Sequence, residues 1–157
     1  MKQFEDFHLH QNTMKLIRLN QFKQPTPIQE EVIPAMLKHK DVIGLSKTGT
    51  GKTHAYLIPL MELCDTSSDE VQAVITAPTR ELAAQIYEKA RLMQEADPAM
   101  RVRLYVGGKD RDKDIRQLKA SQPHIAIGTP GRIKDLFLDI AAEEERHLAE
   151  LTEQREG

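Results

Sequence analysis

Apolar positions along the chain fall into two patterns, short continuous runs and longer segments with helical spacing. The continuous runs are typical of buried strands, and they cover residues 42–45, 73–76, 102–106 and 125–128. The segments with helical spacing are residues 14–20, 26–38, 51–63, 80–93, 112–119 and 130–138. Strands that lack a regular alternation of polar residues and alternate with helices are typical of a parallel sheet that is buried on both faces. The pattern therefore predicts an α/β fold in which helices flank a parallel β-sheet.

Two helix starts carry capping signals. Asn12 or Thr13 is expected to cap the first helix, because either side chain can accept a hydrogen bond from an N–H group of the first turn. Thr26 is expected to cap the second helix. Pro27 suits the first turn of that helix, since the missing N–H group of proline is not needed there.

The loop after the first predicted strand has the composition of a phosphate cradle. It consists of Ser46, Lys47, Thr48, Gly49, Thr50, Gly51, Lys52 and Thr53. Glycines 49 and 51 let backbone N–H groups approach phosphate oxygens, and the following helix adds the positive end of its dipole. We expect Lys52 to contact the β- and γ-phosphates of a nucleotide and Thr53 to bind Mg²⁺. The strict motif has glycine where this chain has Ser46, so the assignment depends on the rest of the chain.

The ends of the other three predicted strands are also polar or rich in glycine. They carry the segments Pro78-Thr79-Arg80, Gly107-Gly108 and Thr129-Pro130-Gly131-Arg132. Parallel strands bring their carboxyl ends to one edge of the sheet, where ligands bind in open α/β folds. We therefore expect these segments to lie near one another at the functional edge of the protein.

Length and composition limit the class of protein, its expected location and its partners. The chain has 157 residues, 39% hydrophobic and 29% charged, which is typical of one globular domain. It contains neither a long apolar run nor a secretory segment, so we expect a cytoplasmic location and no membrane partner. The net charge of −2 restricts any contact with nucleic acid to a local basic surface. Cys64, the single cysteine, lies on an apolar helical stretch and is expected to be a core residue.

Together these segments resemble the first RecA-like domain of DEAD-box RNA helicases. The resemblance includes Phe22 and the segment Pro25-Thr26-Pro27-Ile28-Gln29, and it runs from about Phe4 to about Leu138. It implies a RecA-like phosphate-loop fold that binds ATP or ADP with Mg²⁺. It also implies RNA as a partner and a second RecA-like domain in the whole protein.

The resemblance assigns adenine recognition to residues before the phosphate loop. Gln29 would read the edge of adenine, because its amide has both a donor and an acceptor. Phe22 would stack on the adenine ring, and the alternative for Phe22 is a core position. Thr26 would contact the phosphate loop, or would only cap its helix. Ser46 stands where the family usually has alanine, and it is small enough for the loop to close.

The remaining motifs imply contacts with the backbone of RNA and little preference for its sequence. Arg80 and Arg132 would pair with phosphates, and the alternative for Arg80 is a surface position at a helix start. Hydroxyl or main-chain contacts would come from Pro78, Thr79, Gly107, Gly108, Thr129 and Gly131.

Two other groups of residues are interpreted as structural. Lys109, Arg111, Lys113, Arg116 and Lys119 alternate with aspartates, which is typical of a solvated helix face. The six histidines lack the spacing of metal ligands, so no transition-metal site is expected.

The resemblance stops before the acidic motif of the family. The printed sequence contains no Asp-Glu-Ala-Asp, so no catalytic residue is assigned to this chain. We expect residues 1–138 to form a partial RecA-like ATP-binding domain and residues 139–157 to form a Glu-rich helical tail that is foreign to the family. We expect the C-terminal strands of the domain to be missing from this chain and its sheet to be incomplete. Residues 42–45 then lack a neighbour and expose apolar surface.

Three origins of the chain would explain an incomplete sheet followed by such a tail. A fragment with a foreign tail is favoured, because the character of the sequence changes abruptly near Ile140. The others are a natural truncated product and an assembly in which another chain completes the sheet.

Two functions remain open from the sequence. The first is the ATP-binding part of an RNA helicase that couples ATP binding and hydrolysis to local unwinding of RNA duplexes. The second is a module that binds adenine nucleotide, and RNA weakly, without turnover. The family resemblance supports the first. The missing acidic motif supports the second, because phosphoryl transfer depends on groups that position metal and water. A small-molecule kinase is a more distant third function, which Gln29 and the segments around Arg80 and Arg132 disfavour.

Overall fold

Three short parallel strands form the centre of the protein in a computed structural model, which describes residues 2–47, 49, 51–108, 110–138 and 149. The strands are β1 (Ala73–Thr76), β2 (Val102–Tyr105) and β3 (Ile125–Gly128). Their order in the sheet is β1-β3-β2, with both outer strands parallel to β3. The strand β3 has only apolar residues and glycine and is buried along its whole length, as a central strand between two helical layers must be.

Helices surround the sheet. They are α1 (Gln11–Leu19), α2 (Pro27–Leu37), α3 (Lys52–Leu63), α4 (Arg80–Ala90), α5 (Leu92–Ala96) and α6 (Arg111–Ala120), and a 3₁₀ helix covers Phe4–Phe7. Residues 130–138 are also helical. The segment predicted as one helix over residues 80–93 is two helices, α4 and α5, which meet at Arg91. The predicted architecture, a small parallel sheet flanked by helices, is confirmed.

Alternate residues of β3 divide the core into two layers. Ile125 and Ile127 face a cluster that includes residues of α1, α3, α4 and α5. Ala126 faces the opposite layer, where it packs with Leu118 of α6 and with Leu136. This division follows from the two-residue period of a strand, which sends successive side chains to opposite faces.

The predicted strand over residues 42–45 is wrong, because residues 41–47 have no regular secondary structure. Ile43 is 92% exposed and Leu45 is 89% exposed. Val42 and Gly44 line a cavity of about 250 Å³ against α2 and α3, so the segment has protein on one side. A strand forms where a neighbour satisfies its N–H and C=O groups, and the described strands pair only with one another. The predicted exposure of apolar surface is observed.

The two predicted helix caps had different outcomes. Thr26 caps α2 as predicted, since its hydroxyl accepts a hydrogen bond from the Gln29 N–H at 3.4 Å. The prediction of Asn12 or Thr13 as the cap of α1 is wrong, because both lie inside the helix. Glu62 of α3 instead accepts hydrogen bonds from the His10 N–H at 2.8 Å and from the Thr13 hydroxyl at 2.9 Å. The carboxylate of Glu62 therefore links the N-terminal end of α1 to α3.

Several predictions concern residues outside the described part of the chain. These are the helical tail over residues 139–157, apart from residue 149, and the individual residues Thr48, Thr50 and Lys109. Among the described residues, no helix combines the length and the hydrophobicity that a membrane span requires.

Candidate nucleotide site and the neighbouring strand ends

The phosphate loop ends at a helix whose N-cap is a glycine. Gly51 is the N-cap of α3 and has φ +86°, and Gly49 has φ +82°. A Cβ atom on Gly51 would lie 2.6 Å from Gln29 Nε2, so both the backbone conformation and the close packing require glycine here. Gly51 has no side chain that could cap the first turn of α3, and a helix of this length presents a positive end to an anion. The local geometry therefore fits a phosphate group.

Gln29 joins α2 to the phosphate loop. Its side chain is 2% exposed, and Nε2 donates a hydrogen bond to the Gly51 carbonyl at 3.2 Å. Its Oε1 accepts a hydrogen bond from the Thr26 N–H at 3.0 Å. The capping box of α2 therefore also orients the amide that the sequence assigns to adenine recognition.

Phe22 lies between two other rings. It is stacked on Phe4, with ring centroids 6.5 Å apart, and it makes an edge-to-face contact with His54 of α3 at 4.7 Å. Burial, with a smaller contribution from the charge of Lys89, lowers the pKa of His54 to about 4. The imidazole is therefore neutral at physiological pH, and it is a neutral aromatic ring that contacts Phe22.

The residues expected to hold phosphate and Mg²⁺ occupy the first turn of α3. Lys52 is exposed and Thr53 is half-buried. Burial raises the pKa of Tyr56, and a hydrogen bond with the side chain of Thr53 partly opposes this shift. Before the helix, Ser46 is half-buried and Lys47 is exposed. An ammonium, a hydroxyl and a helix N-terminus are the groups that a nucleotide with Mg²⁺ requires, so these residues fit such a ligand.

The ends of β1 and β2 meet through an arginine. Arg80, the first residue of α4, donates a hydrogen bond from Nη1 to the Gly107 carbonyl at 3.2 Å. Gly108 has φ +84°, and a Cβ atom there would lie 2.5 Å from Arg80 Nη1. Thr79 caps α4 by accepting a hydrogen bond from the Leu82 N–H. The segments that follow β1 and β2 thus lie together, as the prediction of a parallel sheet implied.

The third strand end joins the same edge. The Thr129 N–H donates a hydrogen bond to the Tyr105 carbonyl at 3.1 Å, and Arg132 Nε donates to the Val106 carbonyl at 3.4 Å. Pro78, Gly108 and Gly131 are exposed along this edge.

Arg132 is more enclosed than its predicted role suggests. Its side chain is 10% exposed, and Nη1 lies 4.0 Å from a carboxylate oxygen of Asp135. Asp135 also accepts two hydrogen bonds from Arg111, at 2.7 and 3.2 Å. Arg111 thus lies on the predicted helix face with its side chain 36% exposed, and it also pairs with Asp135. The Arg111 guanidinium beside Asp135 holds the pKa of that carboxyl below its usual range.

The sequence model of one protein family, described as DEAD/DEAH box helicase, matches residues 26–153. This range includes the phosphate loop and all three strand ends. The chain belongs to the DEAD/DEAH box helicase family. The match extends past Leu138, where the resemblance was expected to stop, and the boundary of the domain stays a prediction.

Individual DEAD-box proteins are similar to the chain in sequence and in structure. It is 48% identical over 140 residues to the DEAD-box ATP-dependent RNA helicase CshB of Bacillus subtilis (strain 168), covering 88% of this chain and 32% of the relative. A crystal structure of a DEAD box protein from the hyperthermophile Methanococcus jannaschii matches with a TM-score of 0.76 and 34% identity, over 85% of this chain and 36% of that one. A hypothetical ATP-dependent RNA helicase from Sulfolobus tokodaii matches with a TM-score of 0.70 and 32% identity, covering 83% of this chain and 37% of that one.

The chain spans about a third of the length of these relatives. The RecA-like fold of DEAD-box domains is therefore the fold of this chain, which covers only part of such a protein.

Three residues of this DEAD/DEAH box helicase segment make contacts that the sequence analysis missed: Asp135 and His54 beside the candidate site, and Glu62 beside the start of α1. Asp135 links Arg132 to Arg111, and its position three residues after Arg132 on one helix was a visible signal. His54 contacts Phe22, 32 positions earlier in the chain, and Glu62 contacts His10, 52 positions earlier. No local sequence pattern indicates contacts over such separations.

Proposed function

We propose that this chain is the adenine-nucleotide-binding part of an ATP-dependent RNA helicase. In the whole protein, ATP binding and hydrolysis would drive local unwinding of RNA duplexes, with a second RecA-like domain closing over the nucleotide. The observation that carries the proposal is the hydrogen bond between Gln29 Nε2 and the Gly51 carbonyl, because it joins the base-reading amide to the phosphate loop. Family membership supports the same assignment. The cytoplasmic location stays a prediction.

Each part of the nucleotide has a candidate group in this chain. Gln29 and Phe22 would hold adenine, and the backbone around Gly51 would hold the phosphates together with Lys52. Thr53 would bind Mg²⁺ through its hydroxyl oxygen, whose lone pairs can coordinate a metal while its O–H group donates a hydrogen bond. When bound, Mg²⁺ supplies positive charge that offsets the charge of the phosphates.

For the 157-residue chain by itself we propose nucleotide binding without turnover. The printed sequence lacks the acidic motif that in this family organises the metal and the attacking water. Phosphoryl transfer depends almost entirely on such positioning, so its loss removes orders of magnitude in rate.

RNA would contact the strand ends through its phosphates. Arg80 is exposed, and its hydrogen bond with Gly107 uses one of the five N–H donors of a guanidinium. A Cβ atom on Gly107 or Gly131 would meet nothing within 4 Å, so the packing of the described residues does not require glycine at either position. Close approach of an RNA backbone would explain glycine there.

Calorimetric titration with ADP and Mg²⁺ tests the nucleotide site. We expect the wild-type chain to bind ADP more tightly than GDP, and Lys52→Ala to lower the affinity at least about 10-fold. The control Lys40→Ala removes an exposed lysine outside the site and should leave the affinity unchanged. No ADP binding, or equal affinity in Lys52→Ala and wild type, would contradict the proposal.

Two further assays separate binding from turnover and test RNA. Hydrolysis of ATP by the isolated chain, stimulated by single-stranded RNA, would refute the proposal of binding without turnover. RNA affinity should fall in Arg80→Ala and should become less dependent on salt, because one phosphate contact is lost. Arg116→Ala is the control, since it removes an exposed charge of α6. Equal effects of the two substitutions would exclude a specific role for the strand ends.

A further inference from the structure

His54 is an unusual residue for the buried face of α3. It is 6% exposed and directly follows the half-buried Thr53. Within the part of the chain that the structure describes, its Nε2 is buried and has no hydrogen-bond partner. A buried polar atom without a partner costs about 1–3 kcal/mol, so an apolar side chain would fill this position at lower cost. Filling the core is therefore not a sufficient explanation for histidine here.

The imidazole of His54 makes one ring contact, with Phe22. The centroids are 4.7 Å apart and the ring planes meet at 81°, which is the edge-to-face arrangement that aromatic pairs favour. Phe22 itself follows a backbone turn after α1, where Gln21 has φ +59° and the Phe22 N–H donates a hydrogen bond to the Ile17 carbonyl at 3.2 Å. The backbone of Phe22 is thus held by α1, and its ring lies between the ring of Phe4 and the imidazole of His54 on α3.

A hydrogen bond also links Gln29 to the N-terminal end of α3. Its amide donates to the Gly51 carbonyl, and Gly51 lies three residues before His54. The two residues proposed to hold adenine therefore both contact the start of the phosphate-loop helix, Gln29 at Gly51 and Phe22 at His54. This arrangement sets the position of a base relative to the phosphates.

We propose that His54 is a positioning residue for adenine: its ring holds Phe22 in the orientation that stacks on the base. The inference rests on the proposed function and adds to it a determinant of base affinity that does not touch the phosphates. Loss of the imidazole lowers the affinity for adenine nucleotides, and it leaves the affinity for inorganic pyrophosphate, which has no base, unchanged.

The test compares ADP with pyrophosphate, both with Mg²⁺, by calorimetry on the whole chain. In His54→Ala we expect the dissociation constant for ADP to rise about 3- to 10-fold, the range that an edge-to-face pair supports. The constant for pyrophosphate should stay within about twofold of the wild type, because the phosphate loop is untouched. His54→Phe restores a ring and should recover most of the ADP affinity.

A double-mutant cycle with Phe22→Ala shows whether the effect passes through Phe22. We expect Phe22→Ala and the double variant to bind ADP equally, since His54 has no ring left to position. Independent effects of the two substitutions would overturn the inference, and so would equal losses for ADP and pyrophosphate. If His54→Ala does not fold, as judged by circular dichroism, His54→Leu keeps the volume and is measured by the same criteria.

Failure of the inference and failure of the proposed function are distinguishable. A wild-type chain that binds no ADP overturns both. A wild-type chain that binds ADP, with His54→Ala binding it equally well, overturns only the role of His54.

Discussion

At the scale of single residues, the two glycines of the phosphate loop have different reasons to be glycine. Both have positive φ, which costs other residues about 1–2 kcal/mol. A Cβ atom on Gly49 would meet nothing within 4 Å, whereas one on Gly51 would approach both Gln29 and Thr26. Gly51 is therefore the position at which the loop, the cap of α2 and the Gln29 amide depend on one another.

Replacement of each glycine by alanine tests this difference. We expect Gly51→Ala to lose more stability in urea and more ADP affinity than Gly49→Ala, because only Gly51→Ala displaces the Gln29 amide. Gly49→Ala is the matched control for the cost of positive φ alone. Equal losses in the two variants would show that the contact with Gln29 has no energetic importance.

Cys64 provides a second prediction at this scale. The side chain is half-buried, and burial raises the pKa of its thiol to about 11. The thiolate is the reactive form, so at pH 8 only about one thiol in a thousand is reactive in the folded chain. We expect the reaction with an aromatic disulfide reagent to be at least about 100-fold slower than in urea, and to accelerate as the pH rises toward 11. Equal rates in folded and unfolded chain would contradict the enclosed position.

At the scale of secondary structure elements, α1 is held by a residue of another helix. Glu62 of α3 accepts hydrogen bonds from the His10 N–H and the Thr13 hydroxyl, and its carboxylate also lies 2.7 Å from His10 Nδ1. These contacts tie the N-terminal end of α1, which has no side-chain cap of its own, to α3. The start of α1 therefore depends on its packing against α3.

Glu62→Ala should destabilise the chain by about 1–2 kcal/mol, because it leaves the His10 N–H, just before α1, and the Thr13 hydroxyl without their acceptor. Urea unfolding measures the loss, and hydrogen exchange should show it concentrated in α1. Glu88→Ala is the control, since it removes an exposed partner of Arg91 and should cause no measurable change. A loss in Glu62→Ala no larger than in this control would argue against tertiary capping.

At the scale of the whole molecule, the described residues form a sheet of three strands, and the apolar segment 42–45 does not join it. Ile43 and Leu45 are almost fully exposed, and Val74 on the outer strand β1 is 52% exposed. Neighbouring exposed apolar side chains favour association with other surfaces. The exposure of residues 42–45 was predicted from the sequence.

We expect the double substitution Ile43→Ser and Leu45→Ser to reduce self-association of the chain, measured by sedimentation at several concentrations. The thermal midpoint should change little, because neither side chain is buried in the fold. The control Leu82→Ser removes another exposed leucine, on α4, and should not change association. Association that is unaffected by the double substitution would show that this segment is not responsible.

Much of the fold was determined by the local sequence. The apolar character of β3 and the Thr26-Pro27 start of α2 are local signals, and both had the predicted outcome. The phosphate loop and the three strand ends were also recognisable, because glycine and arginine stood at the ends of predicted strands.

Tertiary structure decided what depended on distant neighbours. Residues 42–45 have the composition of a strand, but a strand needs hydrogen-bond partners beside it, and the described residues offer none there. The capping of α1 by Glu62 and the contact of His54 with Phe22 join residues far apart in the chain, so their geometry exists only in the folded protein. The sequence by itself determined which chemical groups are present, and the packing of α1, α2 and α3 decided which of them meet.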